Sequence, residues 1–358
     1  MKNDSYYPGI FAAALAALSL LSCTQDAPEP EDGSLGVDFF IETDIRSGTR
    51  ATDIASADES KVNRWALFLV KDGQASIFTR AWSDSGADIT LDLNPGTYTA
   101  YAVVNYPASG NAAFAPGAPS TVSELTGTVS HLRDNSASNL VMSGSKRITV
   151  AADRTGSHSI PVSRLVAKLG IRKITVDFSD NPALASKDFT LKGLYVTNAY
   201  SHTTFGADYT AAQLTATPSS WYNRMGFSPD ADTDGLLSET GLDIPIGTSG
   251  GSYVPEHWFY CYQNPVLSGS DTRSPVWTKR CTRIVIEVQV GGTTYYYPVT
   301  VASADKGILR NKTYFAEEVI IRRIGSKDPE DENPDAVSVK WSTATDGWDE
   351  TYRVDEIS

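Results

Sequence analysis

Cysteine is scarce in this 358-residue chain: Cys23, Cys261 and Cys281 are the three present. That scarcity excludes a disulfide-dense small scaffold, and the spacing excludes a Cys-x-x-Cys metal or redox centre. Histidine is as thinly spread. His131, His158, His202 and His257 stand far apart and lack the short spacings by which imidazoles converge on a metal. Basic charge is in deficit, with 30 Lys and Arg against 43 Asp and Glu and a net charge of −13. The basic residues are scattered, so a phosphate backbone finds no patch to bind and nucleic acid is excluded as a partner. No phosphate-cradling glycine loop, internal repeat or coiled-coil heptad occurs. Long hydrophobic runs are missing too. The longest, residues 10–21, falls short of the roughly 20 apolar residues that a membrane-spanning helix needs.

That short run is still informative. Lys2 precedes it and Ser22-Cys23 closes it, the layout of a secretory signal. Leu20-Leu21-Ser22-Cys23 fits a bacterial lipobox, in which the Cys23 thiol is acylated and Cys23 becomes the new N-terminus. An ordinary signal peptide with an incidental cysteine is the competing reading. The expected precursor is a lipoprotein of the cell outer membrane, held by a lipid anchor. Residues 24–33 (TQDAPEPEDG) are polar, acidic and proline-bearing, which suits a solvated tether or an export signal. In an oxidising compartment the remaining even pair, Cys261 and Cys281, is expected to form a disulfide, with two buried thiols as the alternative.

What the chain has in quantity is strand signal. Residues 65–70 (WALFLV) form a continuous apolar run ended by the turn Lys71-Asp72-Gly73, which reads as a buried strand. Residues 89–93 (ITLDL) alternate with period two, Asn94-Pro95-Gly96 reverses the chain, and residues 97–105 (TYTAYAVVN) resume as a strand. The same pattern recurs at 148–151, 158–162, 170–178, 189–197, 258–262, 282–290, 294–301 and 314–321. Strands at short intervals separated by turn residues predict a β-sandwich architecture. One helix is expected near 122–132, capped by Ser120 or Thr121. A join between two strand-rich halves falls at residues 164–170 (RLVAKLG), and an acidic linker at 326–335 (SKDPEDENPD) sets off a C-terminal tail.

Two motifs raise chemistry. Gly247-Thr248-Ser249-Gly250-Gly251 matches G-x-S-x-G, but a nucleophile elbow needs a helix after it, and Ser252-Tyr253-Val254-Pro255 has no helical period. It reads as a Gly/Ser loop, and no enzyme is expected. Asp230, Asp232 and Asp234 ahead of Gly235 reproduce the first half of a calcium loop. The twelfth position of such a loop should be a bidentate Glu and here is Gly241, so a solvated acidic loop fits better than a calcium site. Calcium apart, no cofactor is expected.

The two ends of the chain carry the informative pattern. Val37, Phe39 and Ile41 fall at i, i+2 and i+4 and would face one side of a strand. Val337, Val339 and Trp341 repeat that spacing on the tail. Between the first of these strands and residues 65–70 lies Ser47-Gly48-Thr49-Arg50-Ala51-Thr52, a polar stretch that an Arg-specific protease would cut. A cut after Arg50 would free the N-terminal strand, and the groove left behind could take the tail strand of another copy by β-strand addition. Head-to-tail exchange of this kind does not close on itself and builds a filament. An N-terminal strand that stays in its own sheet beside a disordered tail is the bland alternative.

The stretch 47–70 (SGTRATDIASADESKVNRWALFLV) resembles the start of the fimbrillin family, the major fimbrial subunits of Bacteroidales-type pili. Further similar segments are 93–98 (LNPGTY), 142–144 (MSG), 162–168 (VSRLVAK), 258–264 (WFYCYQN), 296–299 (YYPV) and 308–314 (ILRNKTY). Gln263, where the family usually has Glu, and the Cys261/Cys281 pair depart from its pattern. The resemblance implies an all-β chain of two transthyretin-like β-sandwich domains in tandem, residues 51–168 and 169–325. A lipoprotein signal peptide (1–22) and a propeptide with the exchangeable strand (23–50) would precede them, and a linker with the donor-strand tail (326–358) would follow. It implies Cys23 as the lipid site, Arg50–Ala51 as the cleavage site and Ala336 onward as the donor. The implied partners are other copies of the chain, related fimbrial subunits, an Arg-specific surface protease and a host or bacterial surface receptor. The implied destination is a cell-surface fimbrium, in which a stalk subunit fits better than a tip or anchor. The competing function is a monomeric surface lipoprotein that binds glycan or peptide through Tyr260, Tyr262, Tyr295, Tyr296 and Tyr297.

Overall fold

The computed structural model describes residues 36–43, 57–106, 119–206, 221–222, 235–254, 257–264, 281–301, 307–329, 331 and 336–344. In chain order the first part carries β1 (Val37–Thr43), β2 (Trp65–Lys71), β3 (Ile77–Ser83), β4 (Ile89–Leu91) and β5 (Gly96–Val104). A short helix α1 (Val122–Gly127), β6 (Val129–His131), β7 (Met142–Val150) and β8 (Gly156–Arg164) follow. Seven of these strands form one sheet in the order β3-β2-β5-β7-β8-β1-β4. β7 and β8 pair only at Met142↔Arg164 and Ser143↔Ser163. Gly144 permits that close approach, since a Cβ there would stand 1.9 Å from the Pro161 carbonyl oxygen. Beyond it the sheet rolls over a core of Trp65, Leu67, Leu69, Tyr98, Ala100, Ile148, Ile160, Val37 and Phe39.

Residues 65–70 are apolar throughout because both faces of β2 are covered. Trp65, Leu67 and Leu69 enter the core just described, while Ala66, Phe68 and Val70 pack on the other side with Leu125 of α1 and Leu132. Turn chemistry is equally local: the Tyr98 hydroxyl donates to the Asn94 carbonyl at 2.8 Å and closes the Asn94-Pro95-Gly96 reversal. α1 starts at the expected cap, with the Glu124 N–H donating to Thr121 Oγ1 at 3.2 Å. It stops at Gly127, short of the 132 expected, because Val129–His131 leaves for a two-stranded ladder with β13, described next.

The second part carries β9 (Val166–Ile171), β10 (Ile174–Val176), a helical turn α2 (Pro182–Ala185), β11 (Phe189–Thr197), β12 (Ala199–Tyr200) and β13 (His202–Thr204). It continues with β14 (Trp221–Tyr222), β15 (Ser238–Gly247), β16 (Ser252–Tyr253), β17 (His257–Tyr262), β18 (Arg283–Val290), β19 (Thr293–Thr300), β20 (Thr313–Ile321) and β21 (Val337–Ala344). One sheet runs β16-β10-β20-β9-β17 with β21 added on β20, and a second runs β15-β11-β18-β19. Leu169, Ile174, Phe259 and Tyr314 of the first meet Leu191, Leu194, Ile284 and Ile286 of the second in one core. The strand expected at 170–178 is divided: β9 and β10 both run parallel to β20, but β9 has β17 as its other partner and β10 has β16. The strand expected at 189–197 has those bounds.

Candidate assembly site

β1 is an internal strand. It runs parallel to β8 from Val37↔Gly156 to Thr43↔Val162, and antiparallel to β4 from Val37↔Leu91 to Phe39↔Ile89. The period-two pattern does what it predicts: Val37 and Phe39 are fully buried, Ile41 packs at the rim of the same core, and Phe40 points outward. Thr90 Oγ1 donates to Asp38 Oδ1 at 2.6 Å on the outer face. Full burial of a Val or Phe side chain stabilises by roughly 1.5–3 kcal/mol, so β1 is held mainly by two side chains and two ladders.

His158 sits opposite Phe39 on β8, with ring centroids 5.9 Å apart. Burial, and secondarily the Lys146 ammonium, holds its imidazole below the ordinary histidine value. Burial, and secondarily His131 across the β6–β13 ladder, does the same to His202. Both rings favour the neutral form in the fold, so their contribution is fully present above the unfolded value of about 6.5 and is lost as pH falls through the lower folded values. The uncleaved chain is therefore expected to melt at a lower temperature at pH 5.5 than at pH 7.5. His158→Gln should flatten that dependence, and scanning calorimetry of both proteins across the interval checks it. An equal slope in the variant would remove His158 from the account.

The C-terminal strand exists but is not detached. β21 pairs antiparallel along β20 from Ile321↔Val337 to Thr313↔Ala344, with a register shift between Ala316 and Glu318. Ala336 is buried, and Val337 and Val339 are half-buried against the core of the paired sheets. Trp341 stands opposite Ala316 in the ladder. The start of the acidic linker is also placed: Tyr296 and Ser326 exchange backbone hydrogen bonds of 2.8 and 3.1 Å, and Lys327 Nζ lies 3.8 Å over the Tyr295 ring. β21 has β20 as its partner on one side, and its half-buried valines contrast with the fully buried Val37 and Phe39 of β1.

The expected Cys261–Cys281 disulfide is corrected by the structure, in which the two residues are not bonded. Cys261 lies within β17, its backbone paired with Ala167, and burial pushes its thiol up, away from the reactive thiolate. Cys281 precedes β18, and its carbonyl accepts from Asn198 Nδ2 at 2.8 Å. Both are buried and pack as small apolar groups. Of the five tyrosines weighed for ligand binding, Tyr260, Tyr262 and Tyr297 are core residues and only Tyr295 and Tyr296 are half-exposed. Ser249 of the G-x-S-x-G loop accepts from the Phe178 N–H at 2.8 Å, which makes it a loop-closing group. Cys23, Arg50, Ala51, Asp230, Asp232 and Asp234 lie outside the described residues. Among the described residues no three His, Cys, Asp or Glu side chains cluster as a metal site.

No family model matches the chain, and no curated protein matches it. Solved structures do. A candidate cell adhesion protein from Bacteroides eggerthii superposes with a TM-score of 0.59 at 19% identity, over 86% of this chain and 95% of that one. One from Parabacteroides distasonis gives 0.59 at 13% identity, over 89% and 100%. A fimbrilin from Porphyromonas gingivalis gives 0.56 at 14% identity, over 86% and 96%. Matches spanning nearly the whole of both chains concern the complete arrangement of sheets. The chain therefore has a fimbrillin-like fold, shared with the Porphyromonas fimbrilin and with these cell adhesion candidates.

Proposed function

We propose that the chain is a structural subunit of a cell-surface fimbria, of the stalk type. It is exported as a lipoprotein through Cys23, cleaved between Arg50 and Ala51, and polymerised by strand exchange to support adhesion. One observation carries this reading: an internal strand, β1, is supplied by residues that precede Arg50. A cut there severs β1 from the chain while β2 to β21 remain covalently continuous. Loss of β1 opens a slot between β8 and β4, floored by Trp65, Leu67, Ile89 and Ile160. An apolar slot with an unpaired ladder on each wall is a receptor for another strand.

The tail supplies a strand with the right spacing, Val337, Val339 and Trp341 matching Val37, Phe39 and Ile41. Transfer is favourable in kind. On β20 the tail has one ladder partner and half-buried valines, whereas at the Val37 and Phe39 positions the slot offers a partner on each side and full burial. The added burial is stabilising at about 25 cal/mol per Å². Subunits linked this way form an open series and hence a fibre. Electron microscopy of the purified chain before and after Arg-specific proteolysis tests the reading: filaments should appear only after the cut. Monomers in both samples would favour a monomeric surface lipoprotein. Export has its own test. Cys23→Ala should abolish incorporation of labelled palmitate and reduce surface delivery, and undiminished labelling would refute the lipid site.

A further inference from the structure

Glu59, Arg164 and Lys168 are buried charges that strand exchange leaves unused. Glu59 lies on a 3-10 turn, Ala57–Ser60, between the proposed cleavage site and β2. Its side chain is 2% exposed and meets Lys168 Nζ of β9, 3% exposed, at 2.6 Å. The Tyr260 hydroxyl of β17 donates to the same carboxylate oxygen at 2.5 Å, and Arg164 Nε donates to the Glu59 backbone carbonyl at 3.0 Å. The Trp258 ring lies 4.5 Å from Lys168 Nζ. A second fixture follows immediately. Asn105, held at φ 58° at the end of β5, donates from Nδ2 to the Lys61 carbonyl at 2.7 Å and accepts from the Asn63 N–H at 2.8 Å. Its own N–H donates to the Arg64 carbonyl at 2.9 Å. None of these partners belongs to β1.

We propose that Glu59 is a positioning residue that ends maturation at Arg50: it clamps the chain ahead of β2 and so keeps the next basic peptide bonds out of a protease cleft. The inference rests on the maturation reading and extends it. Lys61 is exposed and Arg64 half-exposed, so their side chains are open to recognition by an Arg- or Lys-specific protease. What protects them is backbone: a protease must draw several residues into an extended form, and here the carbonyls of Glu59, Lys61 and Arg64 are all engaged. Hydrolysis at Arg64–Trp65, with water adding across the amide to leave a carboxylate and an amine, would cut at the first residue of β2, whose side chains fill both cores. The clamp thus separates a productive cut from a destructive one. It also gives the buried carboxylate a role that does not depend on β1: its partners lie on β9 and β17, and the ladders of β1 are with β4 and β8.

The test is a time course of limited proteolysis of the full chain with trypsin, with new N-termini mapped by mass spectrometry. Wild type should be cut after Arg50 and stop. Glu59→Gln/Lys168→Met removes both charges together, so neither is left buried and alone. In that variant a cut after Arg64 should appear about tenfold faster or more, as the local opening equilibrium shifts. Tyr260→Phe, which removes one donor at nearly constant volume, should fall between the two. Val288→Ala, in the core of the paired sheets away from the clamp, is the control at a matched melting temperature. A double variant that still stops at Arg50, or a control that yields the same Arg64 cut, overturns the proposal. Absence of any Arg50 cut in wild type overturns the maturation reading instead, while the Arg64 rate ratio still decides the clamp.

Discussion

Phe39→Ala should lower the melting temperature of the uncleaved chain by roughly 10 °C and leave the cleaved chain, freed of β1, unchanged. The first half follows from packing. Phe39 is fully buried beside Val37 in the core of the rolled sheet. Truncating a buried Phe to Ala costs about 3–5 kcal/mol, because transfer energy is lost and a cavity remains. In a chain of this size each kcal/mol moves the midpoint by roughly 2–4 °C. The second half follows only if β1 departs on maturation, for a residue absent from the folded product cannot alter its stability. Calorimetry of wild type and variant, each before and after Arg-specific cleavage and removal of the released peptide, gives the comparison. An equal loss in both states would show that β1 remains seated after the cut. A tail already bound in the slot should also raise the cleaved wild type's midpoint with protein concentration, as occupancy grows by mass action.

How much of this was legible in the sequence depended on how local the cause was. β11 has its expected bounds because Phe189 and Leu191 alternate with half-exposed Thr190 and Lys192 before a wholly buried run from Gly193 to Thr197. β2 was legible for the opposite reason: an apolar run with no alternation has only the doubly covered strand as a short solution. The seating of Val37 and Phe39 followed from spacing alone. The docking of β21 on β20 did not, because pairing between strands is set by register and neighbours that no single segment encodes. Arg172 and Lys173 gave no sign that they divide one strand into β9 and β10, since that division depends on the partners β16 and β17. The Glu59 clamp was illegible too. Asp58-Glu59-Ser60 reads as a solvated turn until Lys168 and Tyr260 are brought beside it from more than a hundred residues away. The disulfide expectation failed because an even cysteine count states compartment and parity but not distance.

Deleting the chain from Ala336 onward should leave a folded subunit that is cut after Arg50 yet forms no filament. β21 is the added strand on β20, so the deletion uncovers one ladder edge and removes the buried Ala336 and the half-buried Val337 and Val339 contacts, but leaves the rest of both cores in place. The subunit retains an open slot after cleavage and has nothing to put in its neighbour's. Arg50→Ala should fail for the opposite reason, with Val37 and Phe39 still filling the slot while the tail remains available. Mixing the cleaved, tail-less subunit with uncleaved Arg50→Ala should therefore give a one-to-one heterodimer and no longer species. One partner can accept but not give, and the other can give but not accept. Light scattering on a sizing column would resolve that dimer from monomer and filament. Within the tail, Trp341→Asp should abolish the heterodimer, because a carboxylate would replace an apolar side chain at a slot lined by Trp65, Leu67, Ile89 and Ile160. Trp341→Phe should retain the heterodimer, since it keeps a large apolar side chain at the rim position that Ile41 holds in β1. Filaments of normal length from tail-deleted, cleaved protein would mean that another surface joins the subunits, and the slot left by β1 would need a different occupant.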